Sequence, residues 1–183
     1  MACHRQQKEL LLLNVVCGGA VLISYAHGLI NNPAARGALW GGIPQWLTPF
    51  YAGAMPFAAV GYFLFTSFLL FHVNPDEAVI AGRYRYRLFH ALYGTVLVPS
   101  ALWMPLSFAM LHEPSAGLWI TIRLVLAAVG LGSIGISAAI FLVQPRRNSW
   151  SFRFAVIGSI AFCIQTAVLD AVVWTAFFPF SIF

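Results

Sequence analysis

The sequence predicts an all-α integral membrane protein, a five-transmembrane-helix bundle with its N-terminus inside and its C-terminus outside. Three observations carry this. Of the 183 residues, 61% are hydrophobic and only 8% charged, against about 25% charged in a soluble domain. Five apolar stretches, separated by polar or Pro- and Gly-rich segments, are each long enough to cross a bilayer, which takes roughly 20 residues. Eight of the ten basic residues fall outside those stretches on one side of the chain. Mean hydropathy is +0.83, and nothing is left over for a soluble module. Residues 1–183 therefore form a single transmembrane domain whose first partner is the lipid bilayer.

The spans are expected at about 10–30, 49–72, 88–111, 118–143 and 154–179. Before the first, Arg5 and Lys8 mimic the start of a signal peptide. No A-x-A site follows, and Val16 before Cys17 is too large for a lipoprotein cleavage site, so an uncleaved span is expected. The second span is apolar throughout. The third, LFHALYGTVLVPSALWMPLSFAML, places Pro99, Ser100, Trp103 and Pro105 close together. Proline inside a helix frees carbonyls that need partners in lipid, so this span is expected to bend and to pack inside the bundle. The fourth carries Gly130, Gly132, Ser133, Gly135, Ser137, Ala138 and Ala139. Small residues let helices approach closely, which makes this a packing face within the bundle or across a homodimer. The fifth holds Asp170 in VLDAVVW.

Orientation follows from Lys and Arg. Arg5, Lys8, Arg83, Arg85, Arg87, Arg146, Arg147 and Arg153 share one side of a five-span chain, and the other side has only Arg36. Such a bias marks the inner side. It also accounts for the net charge of +5 without nucleic acid, which is not an expected partner. Cys3, Cys17 and Cys163 form no CxxC or metal spacing, and the latter two read as packing residues.

Ionisable groups inside a membrane are costly and mark functional positions. Asp170 is expected roughly 12 Å, and Arg123 roughly 8 Å, from the outer side. They either pair or share a hydrated pocket, or Arg123 snorkels and Asp170 is held by hydrogen bonds. Tyr25, His27, Trp103 and Trp174 fall at similar depth, and Trp174 lies one helical turn from Asp170. Together they suggest an outward-opening cavity with aromatic walls and a few polar groups. Loop one, NNPAARGALWGGIPQWLTP, carries Trp40 and Trp46. It reads as an interfacial aromatic belt or as a lid over the cavity. His72, His90 and His112 lie near span ends, where histidines are commonly interfacial, although His72 and His90 are both near the inner side, as haem ligands would need to be. No HExxH, GxSxG, P-loop or paired-carboxylate pattern appears, so hydrolytic and phosphoryl-transfer chemistry lack support, and no catalytic or metal residue is assigned.

Several motifs resemble the translocator protein family, also called tryptophan-rich sensory proteins. Ser100-Ala101-Leu102-Trp103-Met104-Pro105-Leu106-Ser107-Phe108 has the family's third-helix spacing of Asn, Trp, Pro and Phe, with Ser for Asn. Phe162, Leu169-Asp170 and Trp174 match its fifth helix, with Asp for Asn. Phe57-Ala58-Ala59-Val60-Gly61-Tyr62 is similar to a second-helix stretch. The double-proline loop signature is reduced to Pro44 and Pro49, and Gly158 and Ser159 replace a Pro-Tyr pair. The resemblance implies a dimeric five-helix protein that binds porphyrins, sterols or similar flat apolar molecules between its helices. Trp103, Phe162, Asp170 and Trp174 would then line the pocket, and Trp40 and Trp46 would sit in its lid. A tetrapyrrole is a possible cofactor or cargo on this basis.

Three functions are consistent with the residues. The first is binding or transport of a hydrophobic small molecule, with Ser100, His27 and Arg123 added to the pocket. The second is an accessory subunit of a larger membrane complex. The third is an enzyme on a lipid-like substrate using Asp170 or His27 as acid or base.

Overall fold

The computed structural model describes residues 4–145 and 149–178. Cys3, Arg146 and Arg147, and the expected end of span five at residue 179, lie outside the described residues. Five helices are long and apolar enough to cross a membrane: Arg5–Asn31, Thr48–Phe71, Arg87–His112, Ala116–Leu142 and Trp150–Phe177. They are called spans one to five below. One end of the bundle is basic, with Arg5, Lys8, Arg83, Arg85, Arg87 and Arg153; loop one caps the other.

Span one starts earlier than its apolar run predicts. Arg5 Nε donates to Glu9 Oε1 at 2.8 Å, and buried Gln7 donates through Nε2 to Val73 O at 3.1 Å. These bonds extend the helix through a polar turn that hydropathy does not count as membrane-spanning. Pro99 and Pro105 lie inside span three, as Pro56 does inside span two, without ending either helix.

The all-α expectation misses one element. At the basic end, β1 (Val79–Ile80), β2 (Tyr84–Arg85) and β3 (Val143–Gln144) form a small antiparallel sheet in the order β2-β1-β3. Strands of two residues are too short to show a period in sequence. The turn between β1 and β2 places Ala81 and Gly82 at φ of 52° and 74°.

Spans two and five pack together, as do spans three and four; span four also meets span five, and span one lies mainly on span three. Glycines set these approaches. A Cβ on Gly61 would lie 2.4 Å from Gly158 O, so spans two and five touch backbone to backbone. A Cβ on Gly132 would meet Val96 at 2.8 Å, and one on Gly130 would lie 3.1 Å from Ala167 Cα. The small-residue face of span four is thus occupied by spans three and five of its own chain. Gly130, Gly132, Ser133 and Ala139 are buried there, while Ala138 is exposed.

Two cores result. The larger, toward the basic end, holds Phe65, Leu69, Tyr86, Phe89, Tyr93, Ile136 and Ile140. Tyr93 OH shares a 2.7 Å hydrogen bond with Thr66 Oγ1, and Tyr86 OH donates to Leu69 O at 3.0 Å, so neither phenol is left unsatisfied. The smaller core, under loop one, holds Ile43, Tyr51, Met110, Ile122, Leu126, Trp174 and Phe178. Outside both, large apolar side chains such as Leu22, Ile23, Phe57, Leu131 and Ile157 are exposed on the helix faces, which suits lipid rather than water.

Candidate functional site

A cavity of about 710 Å³ lies between spans one and two, with spans three, four and five behind it. Leu11, Val15 and Leu22 of span one and Met55, Phe63 and Phe71 of span two both line it and are exposed. The opening is therefore lateral, between two apolar helices. It is not the outward opening expected from the sequence. Loop one closes that direction: Trp174 Nε1 donates to Leu39 O at 2.8 Å, Gly42 N donates to Phe177 O at 2.8 Å, and Trp40 sits edge-on to Tyr51 at 5.7 Å.

Most of the cavity wall is apolar, and the polar groups gather in two places. Toward loop one, Asp170 Oδ1 accepts hydrogen bonds from Tyr51 OH and, at 2.9 Å, from Gln165 Nε2. Tyr25, Ser100 and Trp103 stand on the same part of the wall, with the Tyr25 and Trp103 rings 5.5 Å apart. Nearer mid-span, Tyr62 OH donates to Asn14 Oδ1, while Asn14 Nδ2 donates to Leu10 O at 2.8 Å. Tyr62 also touches Phe162, with ring centroids 5.5 Å apart.

Helix geometry explains why these groups face the cavity. Residues Asn14–Gly18 and Ile164–Trp174 are π-helical. A π-helix bonds i to i+5 and is rare outside functional sites. The first segment begins at Asn14; the second carries Gln165, Thr166 and Asp170, all on the cavity wall. The wider turn also undoes the expectation that Asp170 and Trp174 share a face, which assumed α-helical spacing. Trp174 instead is buried behind Trp103, their rings 5.5 Å apart, and stacks on Phe178 at 4.1 Å.

Of the residues singled out from sequence, Tyr25, Ser100, Trp103, Phe162 and Asp170 line the cavity. Trp174 and Trp40 brace its loop-one end without lining it. His27 and Trp46 are exposed and lie elsewhere, so Trp46 suits the interfacial belt better than the lid. Arg123 and Asp170 do not pair. The Arg123 guanidinium donates through Nη2 to Thr175 O and lies 3.6 Å over the Trp119 ring, while its buried Nη1 has no hydrogen-bond partner, and Arg123 does not line the cavity. Ser100 Oγ is held by Val96 O at 2.7 Å.

The histidines do not converge. His72 Nε2 is 3.1 Å from Ser151 Oγ, His90 Nε2 is 2.9 Å from Gln6 O, and His112 Nδ1 is 2.7 Å from Phe108 O. Among the described residues no cluster of His, Cys, Asp and Glu has metal-site geometry. Sequence reasoning overlooked Asn14, Tyr51, Tyr62 and Gln165. Asn14 and Gln165 carried a usable signal, since each is an amide inside an apolar span. Tyr51 carried none, because a tyrosine beside Pro49 reads as interfacial.

No protein-family model, no curated protein and no solved structure matches the chain.

Proposed function

We propose that this protein binds or carries a hydrophobic small molecule within the bundle, in a membrane that it crosses five times with its N-terminus inside. The lateral cavity is the observation that supports this. Its volume lies in the range of small-molecule sites, roughly 300–1,000 Å³, and it joins apolar walls to a few convergent polar groups in the way such sites are built. The resemblance to the translocator protein family points the same way and adds sterols and tetrapyrroles as candidate ligands. The polar groups favour a sterol between these two. They are an acid, two amides and phenols, which suit a hydroxyl. Tetrapyrrole carboxylates would face Asp170, and among the described residues the wall has neither a basic side chain to pair with them nor a histidine for a haem iron.

Dehydroergosterol titrated into nanodiscs tests this, because it accepts excitation energy from tryptophan. Saturable transfer is expected in the wild type, reduced in Trp103→Phe and lost in Gly18→Leu, which places a bulky side chain in the cavity. Transfer no greater than in nanodiscs holding an unrelated five-span protein would defeat the proposal.

A further inference from the structure

The end of the cavity nearest loop one is electrostatically incomplete. Both hydrogen bonds to the Asp170 carboxylate fall on Oδ1. Among the described residues no Lys, Arg or His lines the cavity, and the Arg123 guanidinium donates to Thr175 O and lies over Trp119. Ionisable side chains inside membranes pair with one another or with backbone carbonyls, or mark the path of a substrate or ion, and an ionised carboxylate in an apolar wall is stabilised by a neighbouring cation. Two further atoms at the same level lack partners. Gln165 is only 6% exposed and its Oε1 accepts no hydrogen bond; Trp103 Nε1 donates none. The carboxylate is an acceptor on the same wall as the Tyr25 and Trp103 rings, whose faces also attract cations.

We propose that the cavity is a site for a lipophilic amine: a molecule whose ammonium group pairs with the Asp170 carboxylate beside Tyr25 and Trp103, and whose apolar body lies along the groove between spans one and two. This rests on the small-molecule reading above, and puts a cationic ligand ahead of the neutral sterol. The groove sets the body length. From Tyr25 to Asn14 along span one is eleven residues, roughly 16 Å at about 1.5 Å per residue. Because loop one is latched over the end of the bundle and the opening lies between exposed apolar side chains, the amine reaches the site from the hydrocarbon layer. A phospholipid with an amine headgroup is disfavoured, since its phosphate would need a cation that the wall does not supply.

Dodecylamine, dodecanol and dodecanoic acid have similar chains of about the required length and differ in headgroup charge. Each is titrated into nanodiscs containing the full chain, with the thermal midpoint as readout, for wild type, Asp170→Asn and Gly18→Leu. Asp170→Asn keeps the Oδ1 acceptor for Tyr51 and Gln165, so its fold is retained. Dodecylamine is expected to bind the wild type about tenfold or more tightly than dodecanol, with dodecanoic acid weakest. The preference should vanish in Asp170→Asn, and all binding should vanish in Gly18→Leu. Equal binding of amine and alcohol to wild type, abolished in Gly18→Leu, would overturn the amine assignment while leaving the cavity as a binding site. An amine preference that survives in Asp170→Asn would overturn it too, by placing the charge recognition elsewhere. Binding of none of the three, together with no dehydroergosterol transfer, would remove the binding site altogether. A midpoint gain in phosphatidylethanolamine nanodiscs over phosphatidylcholine nanodiscs as large as that given by dodecylamine would overturn the exclusion of phospholipid.

Discussion

Span two treats two of its neighbours, spans five and one, in opposite ways. Toward span five it presents Gly61 against Gly158, and the two backbones come into contact. Toward span one it presents Met55, Ala59, Phe63 and Phe71, and a cavity remains. Water cannot drive helices together in hydrocarbon, so association there depends on how closely backbones fit. A matched pair of glycines gives that fit on one side. On the other, bulky side chains hold the helices apart, and the polar groups of spans one and five are left lining a space. The contrast teaches that a small residue brings helices together only where it meets a matching one: Gly61 meets Gly158, whereas Gly18 on the cavity wall meets nothing within 4 Å.

Substitutions test each side of the contrast, and the largest effect is expected at the closed side. Gly61→Ala forces a methyl group against Gly158 O and should cost about 3 kcal/mol or more, because backbone on both sides cannot yield. Reversible unfolding in mixed micelles would measure it, and a loss below that of an ordinary surface change would mean the two helices can slide apart freely. Asp170→Ala comes next. It strips both donors of their acceptor, and leaving such groups unsatisfied costs about 1–3 kcal/mol in total stability. Asp170→Asn should lose much less in the same assay. Trp174→Phe keeps the stacking on Phe178 but removes the bond to Leu39 O, a change of about 1 kcal/mol. Its effect should show as faster amide exchange in residues 37–43 with the rest of the bundle unchanged. The smallest stability change belongs to the open side. Nothing lies within 4 Å of a Cβ built on Gly18, so Gly18→Leu should stay within about 0.5 kcal/mol of wild type. Yet it should abolish dehydroergosterol transfer. If Gly18→Leu proved as damaging as Gly61→Ala, spans one and two would have to be in closer contact than the cavity allows.

Hydropathy located all five helices because a bilayer demands a fixed apolar length, and each span ends within a few residues of its expected limit. It missed what does not depend on that length. The start of span one rests on Gln7 reaching Val73 O, a contact 66 residues away in sequence, and the sheet at the basic end rests on pairing between two loops. At the cavity, Asp170 and Trp103 stood out because an acid and an indole are conspicuous among aliphatic residues. The partner of Asp170 did not stand out. Arg123 was the obvious candidate by charge and depth, but the bond goes to Tyr51 and Gln165 because span five leaves α-helical geometry there. No residue type in IQTAVLDAVVW signals that departure, since it depends on how neighbouring helices hold the segment.

That departure also fixes the angular phase of everything after it. Each residue of an α-helix advances the chain by about 100° around the axis. The looser turns of Ile164–Trp174 absorb part of that rotation, and the result is what aims Trp174 at Leu39 and Thr175 O at Arg123. Removing a single residue from this segment, Val168 for example, would let it wind back to α while preserving nearly every apolar side chain. Hydropathy would scarcely register the deletion. The end of span five would nevertheless turn away from loop one, and the latch over the bundle and the seat of Arg123 would be lost in one rotation.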